Sequence, residues 1–445
     1  MHLADASAAE QCNPRHRFSS VCKIRCVFDI LSILILQARF RAEETREAIM
    51  AGNSDKAAFP QAERRLRLGI VGGGQGSFIG KVHARGARLS NRWDVVAGAL
   101  SSRPQVAKES GREWLFDEDR AYTDYRVMAE REAARPDGID AVAIATPNNS
   151  HHAIAVAFME KGIDVISDKP LTTTLDDALD LVRRQKETGL VFAVTYAYAS
   201  SAMVRQARQM IREGALGTLK QVHVEYFQEW ALTPPKDGGA GAQWRVDPAI
   251  VGPTFTTGDI GTHCHHLGAF VCGRPVTSVW AEFHTLGPEK PLEDTAFMHV
   301  RYEGDIPGTI MISQVAPGAH CGLRIRAFGD KASLEWNQEE PEVLHFRRFG
   351  EPARLLTRGE GAGIGIHAAR FVHMPRGHPE ALSDAWGNLY EEFAIAVEAR
   401  RLGRTLPEGL LDYPTVTDGA LGVKFIEAAL ASSQSGDWAD CRLPA

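Results

Sequence analysis

A doubly wound parallel sheet followed by an α+β domain with a large, mostly antiparallel sheet is the architecture this sequence predicts, placing it in the α/β class. Three observations predict it. Short apolar bursts recur at strand–helix–strand spacing from residue 66 to 195, a glycine cluster follows the first burst, and after about residue 200 the texture changes to period-two alternation. The chain has 445 residues, which at roughly 150 residues per domain favours two or three domains. Hydrophobic residues at 44% and charged residues at 24% leave ample apolar surface for cores and exclude global disorder. A net charge of −6 supplies no electrostatic footprint for nucleic acid or an anionic membrane, so the expected partner is a small molecule.

Residues 1–65 read as an N-terminal extension, expected to be poorly ordered. Their apolar run, 27–36, is interrupted by Asp29 and is about ten residues long, against the roughly 20 needed to span a bilayer. Basic residues precede the run, as in a signal peptide, but no small-x-small cleavage site follows. Met50 would open a chain reaching the first strand after about 16 residues, the reading if the start were assigned too early. The seven cysteines are irregularly spaced, which fits a reducing cytoplasm rather than a disulfide framework. Cys22 and Cys26 have a zinc-like gap without a second ligand pair nearby.

The first burst, beginning after Arg67, ends in glycines and reads as a buried parallel strand. Further bursts at 95–100, 140–147, 164–170 and 191–196 read as its partners, with helical patterns at 152–161 and 175–188 between them. Residues 66–195 thus form one domain and 196–445 a second. The second opens with a helix at 201–213 and continues with strands at 220–227, 276–283, 295–302, 308–314 and 323–329. Amphipathic helices at 388–402 and 417–432 complete it. Alternation leaves one sheet face solvated or paired with another subunit, which predicts a homodimer or homotetramer.

Between the first strand and a helix-like stretch lies a loop that reads Gly-Gly-Gly-Gln-Gly-Ser-Phe-Ile-Gly over 72–80. Glycines serve where a backbone turns tightly and where a pyrophosphate approaches main-chain N–H groups at a helix N-terminus, the Rossmann dinucleotide arrangement. With Gly72 and Gly74 as the first two glycines of that fingerprint, the third is either displaced to Gly80 or lost at Ser77. A glycine-rich turn without a ligand is the bland alternative. The end of the second strand, where NAD sites place an acid, carries Ser101, Ser102 and Arg103. Hydroxyls and a guanidinium accommodate a 2′-phosphate, so the predicted cofactor is NAD(P), leaning to NADP. Arg103 as a solvated turn residue is the competing reading.

The glycine loop with His83, Thr-Pro-Asn-Asn-Ser-His (146–151), Asp-Lys-Pro-Leu (168–171), Trp-Arg (244–245) and Gly-Asp-Ile-Gly-Thr-His (258–263) together resemble the Gfo/Idh/MocA family of nicotinamide-dependent oxidoreductases, over about residues 66–440. What the resemblance implies is a hydride transfer on sugars, inositols or related polyols. It assigns Gly72, Gly74, Gln75, Ser77, Phe78, Ile79, Ser101, Ser102, Arg103, Thr146, Pro147, Asn148, His151, Asp168 and Lys169 to the cofactor. It assigns Lys169, Tyr198, Trp244, Arg245, Asp259, His263 and His266 to the substrate, with Lys169, Asp259 and His263 catalytic and no metal. Asp168 stands where the family motif has glutamate, His266 where a further acid is often found, and 252–258 lacks the usual triple glycine.

The residues read on their own agree with these roles. On a uniform helix, positions 259, 263 and 266 share one face, so the Asp259 carboxylate is expected to orient the His263 ring and stabilise its protonated form. Lys169 follows a strand C-terminus, where open α/β sheets bind ligands. Three other readings stay open: a metal cluster of Asp259, His263, His265 and His266, although His265 turns about 160° from His263 on a helix; purely structural roles for Asp259 and His263; and a surface Lys169. Two further functions compete with the dehydrogenase: an NAD-dependent glycoside hydrolase of the same fold, and a non-catalytic NAD(P)-binding sensor.

Overall fold

The computed structural model describes residues 64–233, 243–359, 363–407 and 409–444. The predicted 1–65 extension, with Cys22 and Cys26, lies outside the described residues except for its last two positions. Five parallel strands, β1 (Leu66–Gly72), β2 (Trp93–Ala99), β3 (Ala141–Ala145), β4 (Asp164–Ser167) and β5 (Phe192–Val194), form one sheet in the order β2-β1-β3-β4-β5. Helices α1 (Ile79–Leu89), α2 (Pro104–Glu113), α3 (Tyr125–Ala134), α4 (His151–Met159) and α5 (Leu175–Thr188) alternate with them. The order reverses direction at β1, which sends the chain outward to β2 and then back across to β3. That reversal opens a crevice at the strands' carboxyl ends.

Leu66, Leu68 and Ile70 are buried on one face of this sheet, with Trp386, Leu389, Tyr390 and Phe393 packed against them. Those four come from α8 (Leu382–Arg401), so a helix from near the end of the chain closes the first sheet. The other face buries Val142 and Ile144 with Ile154, Phe158 and Leu181, and here Val416, Ala420 and Val423 of α9 (Val416–Ser435) join. The α5 helix matches its expected range. Thr174 caps it by accepting from the Asp177 N–H, and Gly189 ends it at φ 66°.

Among the described residues the second sheet has nine strands in the order β13-β12-β11-β10-β6-β9-β8-β7-β14, the last being the short edge strand β14 (Ala439–Asp440). Among them are β6 (Leu219–Phe227), β7 (Val276–His284), β8 (Thr295–Tyr302), β9 (Ile306–Ser313) and β10 (Gly322–Gly329). All its pairings are antiparallel except β6 with β9. The hairpin strands β11 (Ala332–Asn337), β12 (Val343–Arg348) and β13 (Arg354–Thr357) extend the sheet beyond the five strands expected; Leu334, Trp336, Leu344 and Phe346 alternate inward along them. The inner face buries Val224, Ile310, Ile312 and Ile325 under α6 (Ala202–Arg212) and α7 (Thr262–Cys272). This packing sets α7 between the large sheet and the crevice of the first domain. Among the described residues no helix is long and apolar enough to cross a membrane.

Candidate active site

The site begins where β1 stops. Gly72 and Gly73 take φ values of +84° and +79°, a region side chains rarely enter. A Cβ on Gly74 would lie 2.5 Å from the Leu100 carbonyl oxygen, and one on Gly80 would lie 2.3 Å from the Gly73 Cα. Loop and helix therefore touch backbone to backbone, and Gly80 rather than Ser77 takes the packing role of the third glycine. No side chain caps the N-terminus of α1, so its first N–H groups remain for an anion. This is a cradle that fits a pyrophosphate.

A cleft of about 940 Å³ runs from the loop across the strand ends. Of the expected cofactor residues, Gly74, Gln75, Ser77, Phe78, Ile79, Ser101, Arg103, Thr146, Pro147, Asn148, Asp168 and Lys169 line it. Gly72, Ser102 and His151 do not. Gly72 starts the turn, Ser102 is exposed beside it, and His151 is buried, its ring nitrogens 2.9 Å from the Thr146 carbonyl and 3.0 Å from that of Pro170. His151 therefore braces two cofactor-side turns from behind. The opposite wall is Trp244, Arg245, Val251, Thr254, Phe255, Gly258 and Asp259, from the second domain.

The two domains meet chemically at Lys169. Its Nζ donates to Asp259 Oδ1 at 2.6 Å and to the Asp259 carbonyl at 2.7 Å, although 90 residues separate the pair. The other carboxylate oxygen, Oδ2, accepts from Gln314 Nε2 at 2.7 Å. Burial opposes the charged form of Asp259, but the Lys169 ammonium above all, with Arg245 and Gln314, overcomes it and holds the carboxyl down at about 2. Asp168, beside the lysine, accepts from the Thr195 hydroxyl at 2.5 Å.

His263 departs from the expected geometry. The segment Thr257–Gly261 is a π-helical turn and regular helix begins only at Thr262, so counting i to i+4 from Asp259 does not hold. Both Asp259 oxygens are taken by Lys169 and Gln314, and the His263 Nδ1 is buried without a hydrogen-bond partner. The expected orientation of His263 by Asp259 is thus corrected. The ring instead meets Tyr198 edge-on at 4.9 Å and Tyr196 at 5.8 Å. Burial and then the Lys169 charge push its pKa well below the ordinary value, with Asp259 pulling the other way, so the imidazole is neutral rather than stabilised as the cation. His263 is not on the cleft wall itself, but sits within electrostatic reach of Lys169 and Asp259.

His266 lies further back, buried and stacked on Tyr196 at 4.4 Å. His265 stacks on Phe425 at 4.6 Å. Among the described residues no group of three or more His, Cys, Asp or Glu side chains gathers as a metal site. Tyr198 is buried, its hydroxyl 2.8 Å from that of Tyr226. Sequence reasoning missed Gln314, Gln228, Tyr226 and Glu293. Glu293 is buried and accepts from the Phe255 and Thr257 N–H groups at 3.0 and 2.8 Å, fixing the entry to the π turn. No local motif marks these residues, because pairing of distant strands brings them here.

Two family models match the chain: one described as an oxidoreductase family with an NAD-binding Rossmann fold, over residues 66–196, and the GFO/IDH/MocA C-terminal domain, over residues 204–335. An uncharacterised oxidoreductase from Bacillus subtilis (strain 168) is 34% identical over 375 residues, which are 83% of this chain and 95% of the relative. The crystal structure of an oxidoreductase from Sinorhizobium meliloti is 42% identical with a TM-score of 0.76, covering 84% of this chain and 99% of that one. The crystal structure of an inositol dehydrogenase homologue from Azotobacter vinelandii, complexed with NADH and myo-inositol, is 36% identical with a TM-score of 0.78, covering 85% and 98%.

Proposed function

The chain belongs to the Gfo/Idh/MocA family of oxidoreductases, and from that premise we propose that it moves a hydride between NAD(P) and the hydroxyl- or carbonyl-bearing carbon of a sugar, inositol or related polyol. The observation that carries this reading is the meeting of Lys169 and Asp259 at the end of a cleft whose other end is the glycine cradle, with a neutral His263 nearby. The solved relative holding NADH and myo-inositol supports the substrate class.

The nicotinamide, when bound, supplies the hydride-accepting or hydride-donating carbon. The chain supplies position and proton handling. Lys169 commits two of its three N–H groups to Asp259 and offers the third to the reacting oxygen, polarising it. His263 takes the hydroxyl proton during oxidation and returns it during reduction. Asp259 keeps the ammonium aimed, and Trp244 and Arg245 close the substrate end. His266 supports this arrangement through Tyr196 rather than by touching substrate.

Ser101 and Arg103 on the cleft wall favour NADP, since neither repels a 2′-phosphate. Among the described residues, Cys264, Cys272, Cys321 and Cys441 are free, in keeping with a cytoplasmic protein. The outer face of the large sheet is the surface on which a homodimer or homotetramer would form.

Fluorescence titration with NADH and NADPH, followed by a polyol and aldose panel read at the reduced-nicotinamide absorbance, tests the reading. NADPH is expected to bind more tightly, and His263→Ala to lose about 100-fold or more in turnover while cofactor affinity stays within about twofold. Clear preference for NADH would reverse the cofactor assignment. Binding without turnover on any polyol would leave a sensor, and sugar release without net change in NAD(P)H a glycoside hydrolase.

A further inference from the structure

We propose that Gln314 is a positioning residue for the reaction: its side-chain amide, locked in one orientation by Thr256, holds the Asp259 carboxylate so that Asp259 in turn holds Lys169. The assignment of a reaction to this site rests on the reading above, while the holding contact stands on geometry.

Gln314 directly follows β9 and is fully buried. Its Oε1 accepts from the Thr256 hydroxyl at 2.8 Å, which leaves only Nε2 to face the site. Nε2 then donates to Asp259 Oδ2 at 2.7 Å and to Gln228 Oε1 at 3.3 Å, so both of its hydrogens have acceptors. Turning the amide over would set its oxygen against a carboxylate and leave the Thr256 hydroxyl without its acceptor. The backbone is pinned as well: the Gln314 N–H donates to the Asp294 carbonyl at 2.9 Å, and the Ala231 N–H donates to the Gln314 carbonyl at 3.0 Å. Rigid support behind a group that touches substrate is what a site within a fraction of an ångström of its working geometry requires. The charged and titratable groups bearing on Asp259 are Lys169, Arg245, His263 and Tyr198. Oδ2 itself accepts the hydrogen bond from Gln314 Nε2.

The neighbouring ion pair of Lys290 with Asp294 at 2.6 Å provides an internal reference, because a general loosening of this region would release it too. In the full chain, lysines are acylated at pH 8 with N-hydroxysuccinimidyl acetate and read by peptide mass spectrometry. Gln314→Met, nearly isosteric but unable to donate, is expected to raise Lys169 labelling at least fivefold with Lys290 within twofold. Unchanged Lys169 labelling, or equal increases at both lysines, would overturn the proposal. With the polyol that the panel identifies, Gln314→Met should lower kcat at least tenfold while NAD(P)H affinity holds. Gln314→Glu puts a second carboxylate beside Asp259, so that one of the two must keep a proton, and its kcat relative to the parent should recover from pH 8 to pH 6. Parent-like kcat in both variants, or no such recovery, would also overturn it. A parent without turnover would remove the dehydrogenase reading while the labelling still decides the role of Gln314.

Discussion

The proton inventory at His263 follows from its neighbours. Burial and the Lys169 ammonium both penalise a charged ring, and the Asp259 carboxylate, which pulls the other way, has each oxygen bonded to another donor. The folded-state pKa therefore lies below 6.5, and protonation, which removes the base, takes place only at pH values below that point. For an enzyme that needs neutral His263, kcat/KM should stay flat as pH falls through 6.5 and decline only further down. A profile from pH 5 to 9 measures this, because kcat/KM reports the groups of the free enzyme. An acidic midpoint at or above 6.5 would mean that His263 is not that base. The residue types of this centre were legible in the sequence: Lys169 and Asp259 meet on the cleft wall, and His263 lies off that wall within electrostatic reach of both. Their wiring was not, because it depends on a π turn and on Gln314, and neither leaves a mark in local periodicity.

At the scale of elements, the cofactor end depends on one crossing, that of the loop after β1 with the first turn of α1. The sequence left two positions for the third glycine, since three extra residues separate the loop from the helix. Contact decides between them, because Gly80 presses on Gly73 while Ser77 lies half-exposed on the cleft wall. Gly80→Ala would place a methyl group 2.3 Å from a backbone Cα, which no side-chain rotation relieves. Overpacking of this kind costs about 1–3 kcal/mol, and relief by moving the loop away from α1 would spoil the cradle. The expected outcome is at least a tenfold loss in NAD(P)H affinity, measured by fluorescence titration, together with a lower melting temperature. Affinity within twofold of the parent would show that the crossing does not shape the site. The α5 boundaries and most strands were legible because caps and apolar bursts act locally. The hairpin strands β11 and β12 carry an alternating signal of the same kind as the strands before residue 329.

For the whole molecule, the nine-stranded sheet sets the remaining question. Its inner face is covered by α6, α7 and α9, whereas register places one continuous row on the outer face: Glu282, Phe297, Met311, Glu225 and Arg324. A second row runs Trp280, His299, Thr309, His223, Arg326 and Glu335. One side of this surface is thus apolar and aromatic, with Phe297 42% exposed. The other is charged, with Arg324 and Arg326 set against Glu225 and Glu335. Two copies related by a twofold axis would bring such a surface against itself, burying the aromatic side and letting the charges pair across the joint. None of these outer-face residues lines the cleft, whose wall is built from strand ends and from 244–259. Substitution there should therefore change assembly before chemistry. Phe297→Arg places a guanidinium on the apolar side of this face and, across a twofold, opposite or near its own copy, where an apolar contact is lost and like charges repel. Sedimentation velocity should find the parent as a dimer or tetramer and the variant shifted to smaller species, with cofactor binding retained. A parent that sediments as a single chain, or a variant of unchanged mass, would remove the sheet face as the assembly surface.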